Sequence, residues 1–222
     1  MLFIAIDGID GAGKTTLALA LQKEFEPLEV VITKEPTLES PWGQRLRQAA
    51  ELGRLPKEQE LEYFHQDRLY HIEHVIKPAL ERDAVVISDR YVDSMLAFQS
   101  ATPSEADSLY CKVRDEIIEP DITFILSCPV EQALNRIETN RSGKTVFERQ
   151  DTLEVAKKIY DSRSGKHYAH IDSSQNVQET LKQALSVIQT HFPEFWATLQ
   201  AKKHSSSSSE KTSPKTFFHY AT

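Results

Sequence analysis

A chain of 222 residues, 40% hydrophobic and 27% charged, has enough apolar material for one packed core. A net charge of −7 excludes broad electrostatic binding of a nucleic-acid backbone, so an anionic ligand has to be held at a local site. The longest apolar runs are too short to span a bilayer, no secretory leader opens the sequence, and two cysteines (Cys111 and Cys128) cannot make a disulfide scaffold. No membrane and no nucleic acid is expected as a partner, and a reduced cytoplasmic setting fits.

In chain order, Leu2–Ile6 is apolar at every position, the pattern of a strand buried on both faces of a parallel sheet. Val30–Thr33, Ala84–Ser88, Ile122–Leu126 and Tyr168–Ile171 are further strands, with helical stretches of ten or more residues between them. Capping signatures mark three helix starts: Thr102-Pro103-Ser104-Glu105, Asp151 with Glu154, and Asn176 with Glu179. This alternation predicts an α/β fold of three layers, a parallel sheet of about five strands flanked by helices. A single domain is expected over residues 1–201, interrupted by a mobile polar loop at Asn140–Thr145. Residues 202–222, with serines from Ser205 to Ser209, cannot bury a core and read as a disordered tail.

Gly8-Ile9-Asp10-Gly11-Ala12-Gly13-Lys14-Thr15 fits G-x-x-x-x-G-K-[ST] directly after the first strand, with Thr16 following. Small residues let backbone N–H groups converge on phosphate oxygens, and the next helix presents its positive end. Lys14 would reach the β- and γ-phosphates of ATP, and the Thr15 hydroxyl would ligate Mg²⁺. The apolar strand Ala84–Ser88 runs into Asp89-Arg90, an acid placed to hold the same Mg²⁺ beside the loop. The Asn-Lys-x-Asp signature of guanine-reading GTPases is absent. His65, His71 and His74 with Asp67 lack the company of a metal site and read as packed or solvated side chains, and both cysteines read as inert.

Together with this loop, Lys34-Glu35-Pro36, Phe64-x-x-x-Arg68, and Asp89-Arg90-Tyr91 followed by Ala97-Phe98-Gln99 resemble the thymidylate kinases, P-loop nucleoside monophosphate kinases, over Leu2 to about His191. The resemblance implies transfer of the ATP γ-phosphoryl group to dTMP, a homodimer, and a lid at about 139–150. It also implies site roles. Phe64 would stack on the pyrimidine, Arg68 one turn later would donate to a base carbonyl, and Gln99 would meet the pyrimidine edge. Phe98 would lie under the sugar against the 2′ position, Asp10 would take the 3′-hydroxyl, and Glu35 would be a further sugar-side carboxylate. Arg90 and Arg47 would hold the acceptor phosphate, with Arg45 a weaker candidate. Some members carry a catalytic arginine inside the phosphate loop. That place is Gly11 here, so the bacterial type of lid would supply the charge: Arg149 first, Arg141 second, with Arg136 also on the ATP side.

Thr37-Leu38 replaces the Gly-Gly that follows Glu-Pro in many members, and Met95 stands where a small hydroxyl residue is usual. A thioether cannot donate, so thymine recognition would lean on Arg68 and Gln99. Two other functions share parts of this pattern. A deoxynucleoside kinase would use Glu35 as the base for a sugar hydroxyl, and a non-catalytic nucleotide switch would need no acceptor arginines.

Overall fold

The computed structural model describes residues 1–140 and 147–207. Each of the five apolar runs is a strand: β1 (Leu2–Gly8), β2 (Val30–Lys34), β3 (Val85–Asp89), β4 (Ile122–Ser127) and β5 (Tyr168–Asp172). They pair in parallel in the order β2-β3-β1-β4-β5. β1, central in the sheet, is buried along its whole length, and that is why its sequence shows no alternation. The register sets Ile6 and Lys34 level with Asp89, so the carboxyl ends of β2 and β3 finish on one line and β1 runs two residues past it into the next turn.

The helices are α1 (Lys14–Glu24), α2 (Pro41–Leu52), α3 (Lys57–His71), α4 (Lys77–Glu81), α5 (Val92–Gln99), α6 (Pro103–Val113), α7 (Val130–Asn140), α8 (Gln150–Ser162), α9 (Val177–His191) and α10 (Pro193–Ser207). A π-helical turn at Ile72–Ile76 joins α3 to α4. Thr102 and Asn176 cap α6 and α9 as expected, each accepting the amide of the glutamate three residues on. Ser40 caps α2 in the same way, ahead of Pro41. Asp151 is not a cap. α8 begins two residues earlier than a cap at Asp151 would set it, with Arg149 in the cap position, and Asp151 instead takes the Thr152 amide at 2.9 Å. α10 continues past Lys202 to Ser207, because Leu199 is buried and Lys203 reaches Glu24 at 3.5 Å. The core runs from Phe3, Ile4, Ile6 and Phe124 in the sheet to Leu17 and Leu21 of α1 and to Tyr91, Leu96, Leu153 and Ile159 among the helices.

Candidate active site

The phosphate loop turns tightly between β1 and α1, and its three glycines, Gly8, Gly11 and Gly13, all have backbone angles that side chains disfavour. Gly13, at φ 97°, precedes α1, and a Cβ there would meet nothing. Gly11, at φ 77°, is different, because a Cβ there would stand 2.3 Å from the Ala133 carbonyl oxygen of α7. The left-handed conformation costs a side chain about 1–2 kcal/mol before that clash is counted. Gly11→Ala is therefore expected to weaken ATP binding at least about tenfold. Equilibrium titration checks it, and unchanged affinity would show that the loop relaxes freely. An arginine at this place would meet the same obstacle.

The Lys14 amine donates to the carbonyls of Gly8 (3.0 Å) and Ile9 (2.8 Å). Burial, followed by the positive charge of Arg90, lowers its pKa to about 8. The Thr15 hydroxyl donates to Asp89 Oδ2, and Lys34 at the end of β2 pairs with the same oxygen at 3.3 Å. Asp89 Oδ1 is buried with no hydrogen-bond partner. Burial alone would raise this carboxyl, but Lys34, Lys14 and Arg90 outweigh it and hold it ionised. A charged oxygen without a partner beside a threonine hydroxyl is a donor set that suits a hard divalent cation.

Arg90 follows β3 at φ 77°, unusual for a side-chain residue, and its surroundings fix it there. Its amide donates to Ile6 O at 2.9 Å and its carbonyl takes the Ser88 hydroxyl at 2.6 Å. The guanidinium donates to Asp10 and, at 3.0 Å, to Ser94. Ser94 in turn donates to Asp7 and meets the Tyr160 hydroxyl at 3.0 Å. Burial, with the charge of Asp93 second, pushes the Asp7 carboxyl up to about 7.

Two clefts open along this line. One, of about 600 Å³, is lined by the loop from Asp10 to Thr16 and by Arg136, whose guanidinium donates to Ser173 O at 2.9 Å and Gly11 O at 3.4 Å. The other, of about 240 Å³, is lined by Glu35, Arg47, Phe64, Arg68, Met95 and Phe98 among others. Asp10, Lys34, Arg90 and Glu148 line both.

Inside the smaller cleft Arg68 is fully buried. It donates to Glu35 at 2.7 Å, lies 5.3 Å over the Tyr91 ring and touches the Met95 sulfur at 3.7 Å, while its Nε has no partner. His71 bonds the other Glu35 oxygen at 3.0 Å and Thr33 at 2.7 Å. Burial would raise Glu35, but Arg68 and then His71 keep its carboxyl below the usual range. Arg47 donates to the Pro36 carbonyl, with Nε at 3.0 Å.

Three expected residues stand apart from the clefts. Gln99 is buried and its amide donates to Glu60 at 2.9 Å instead of reaching the smaller cleft. Arg149 is exposed and lies 3.4 Å from Asp151. Arg45 is exposed on α2. Arg141, with lid positions 141–146, lies outside the described residues. The histidines go to separate partners, His65 to Glu116 and His74 to the Tyr70 carbonyl, and among the described residues no cluster of three or more acids, histidines or cysteines is arranged to hold a metal. Lys34, Ser94, Phe147, Glu148 and Tyr160 belong to the site without having been found by residue type. For Lys34 the signal was its place at a strand end beside Glu35. The other four are brought in by tertiary packing.

Comparison with known proteins agrees with this geometry. The family profile described as "Thymidylate kinase" matches residues 6–184. A thymidylate kinase of Xanthomonas campestris pv. campestris (strain B100) is 42% identical over 191 residues, which cover 84% of this chain and 82% of the relative. One of Xylella fastidiosa (strain 9a5c) is 39% identical over 189 residues, 84% and 90% of the two chains. The solved thymidylate kinase of Candida albicans shares the fold at a TM-score of 0.71 and 19% identity, covering 85% of this chain and 91% of that one. The strand order, the phosphate loop and the paired clefts thus sit in a chain that belongs to the thymidylate kinase family.

Proposed function

We propose that this chain transfers the γ-phosphoryl group of ATP to dTMP, giving dTDP. The observation that carries the reading is the meeting of the two clefts at Asp10, Lys34 and Arg90, a loop for the donor phosphates on one side and a base-sized pocket on the other. In-line transfer needs that juxtaposition. The loop amides and Lys14 hold the ATP phosphates. Arg90, Arg47 and Lys34 face the acceptor phosphate, Phe64 stacks on the base, and the unpartnered Arg68 Nε meets a base carbonyl. Phe98 crowds the 2′ position, and Asp10 takes the 3′-hydroxyl. Family members are ATP-dependent and need a divalent metal, for which we propose Mg²⁺ at Thr15 and Asp89; when bound it neutralises phosphate charge. The same reading carries a homodimer, a cytoplasmic location and one P-loop kinase domain over residues 1–201.

The acceptor phosphate, with a second pKa of about 6, is largely dianionic at neutral pH, so no general base is needed. A deoxynucleoside kinase would need one. Glu35 is poorly suited to that work, since Arg68 and His71 occupy both its oxygens. Offering thymidine and dTMP separately with ATP tests the reading. Turnover is expected with dTMP alone, and turnover with thymidine alone would replace this reading with the rival.

At pH 8 about half of the Lys14 amines lack a proton in the free protein, and triphosphate restores it. ATP binding is thus expected to take up about half a proton, read by calorimetry in buffers of different ionisation enthalpy. Uptake should fade as pH falls towards 6, where the amine is already charged. Binding at pH 8 without uptake would mean a charged Lys14 before nucleotide arrives.

A further inference from the structure

Arg90, Phe98, Phe147 and Arg54 form one run, two rings in contact with a cation at each end. The Arg90 guanidinium lies 5.6 Å from the Phe98 ring centre, Phe98 meets Phe147 at 5.6 Å with the planes 74° apart, and Arg54 lies 4.9 Å over Phe147. These are favoured edge-to-face and cation–ring arrangements. The run is fastened at its outer end. Arg54 donates to Glu60, with Nε at 3.2 Å, and to the Phe98 carbonyl at 3.2 Å. Glu60 is buried and also takes the Gln99 amide at 2.9 Å, which gives that glutamine work outside the cleft. Phe98 and Phe147 line the smaller cleft, whereas Arg54 does not.

We propose that Phe147 is a specificity-determining residue for the acceptor sugar and that Arg54 is the positioning residue that holds it. Phe98 is only half-buried, and a ring with space beside it can turn aside to admit a 2′-hydroxyl. Phe147 fills that space. Because Glu60 neutralises Arg54, the arginine contributes ring placement to the site and no charge to the reaction. Loss of either residue should act on acceptor binding and sugar choice, and little on the chemical step.

The inference rests on dTMP phosphorylation, so the wild type is assayed first with ATP and dTMP. No turnover there would remove that reading and this one with it. With turnover established, Phe147→Ala is expected to raise the KM for dTMP about tenfold and to change kcat less than about threefold. Its kcat/KM preference for dUMP over UMP should fall at least about fivefold. Arg54→Gln alters a half-exposed side chain, so its fold should hold, and it should move KM and sugar preference the same way by about threefold. Added to Phe147→Ala it should change nothing further, since the two act through one contact. An unchanged dUMP-to-UMP preference in Phe147→Ala overturns the proposal and leaves the kinase reading standing. Independent, additive effects of the two substitutions overturn the role given to Arg54.

Discussion

Lys14→Ala is expected to lower kcat at least about 10³-fold while leaving the thermal midpoint of unfolding unchanged or slightly higher. The two halves of this expectation have separate causes. Charge builds on the transferring group and on the leaving phosphate, and the Lys14 amine is the cation placed inside the loop that holds them. Stability does not suffer, because burial already disfavours the charged amine and its hydrogen bonds among the described residues go to the Gly8 and Ile9 carbonyls. Steady-state kinetics and a thermal melt check both. Activity within tenfold of wild type would take the loop lysine out of the mechanism. A large drop in the melting temperature would show that its bonds to the two carbonyls, and not its charge, are what the loop requires.

Arg149→Ala should produce the second large effect, a fall in kcat of about 10³-fold with little change in the KM for dTMP. The reasoning begins at Gly11, where the nearness of the Ala133 carbonyl leaves no room for an arginine in the loop. Some other cation has to meet the charge on the phosphoryl group. Arg149 directly follows Glu148, which lines both clefts, and precedes the rigid first turn of α8. Among the described residues its side chain meets Asp151, in an exposed pairing that water and salt weaken and that leaves the guanidinium able to turn. Arg141→Ala should matter less. The reverse order of effects would move the role to Arg141. Indifference to both would direct the next substitution to Arg136, whose guanidinium is already engaged by Ser173 and Gly11.

The strands were legible because parallel strands covered on both faces need apolar side chains at consecutive positions, and a run as short and as apolar as Leu2–Ile6 suits little else in a fold of this kind. Thr102 and Asn176 were legible as caps for a local reason, a hydroxyl or amide oxygen three residues from the amide it accepts. Asp151 satisfied the same spacing and failed, since residue type alone does not decide at which position the chain enters the helix, here two residues earlier at Arg149. Serines and lysines after Lys202 concealed a helical continuation that Leu199 and the Glu24 contact support. In the site, the phosphate loop and Asp89-Arg90 could be read because their chemistry is contiguous in sequence. Gln99 could not: its partner Glu60 lies 39 residues away on α3, and only the packing of α3 against α5 brings them together. Phe147 and Arg54 were hidden by the same kind of distance.

α1 is a strut with the phosphate loop at its head, and its foot is braced by α10. Phe25, just past the last residue of α1, meets Phe195 edge to face at 5.3 Å, and Lys203 reaches Glu24. An 11-residue helix is about 16 Å long, so the chain leaves α10 at roughly that remove from the reacting phosphates. Met1 stands at the opposite edge of the sheet from the strand ends that carry Asp89 and Arg90. A fluorophore or affinity handle attached at Met1 or on α10 at Ala201, both exposed, would therefore ride on the back of the enzyme, and either point can be tethered to a surface with the two clefts still open to nucleotides.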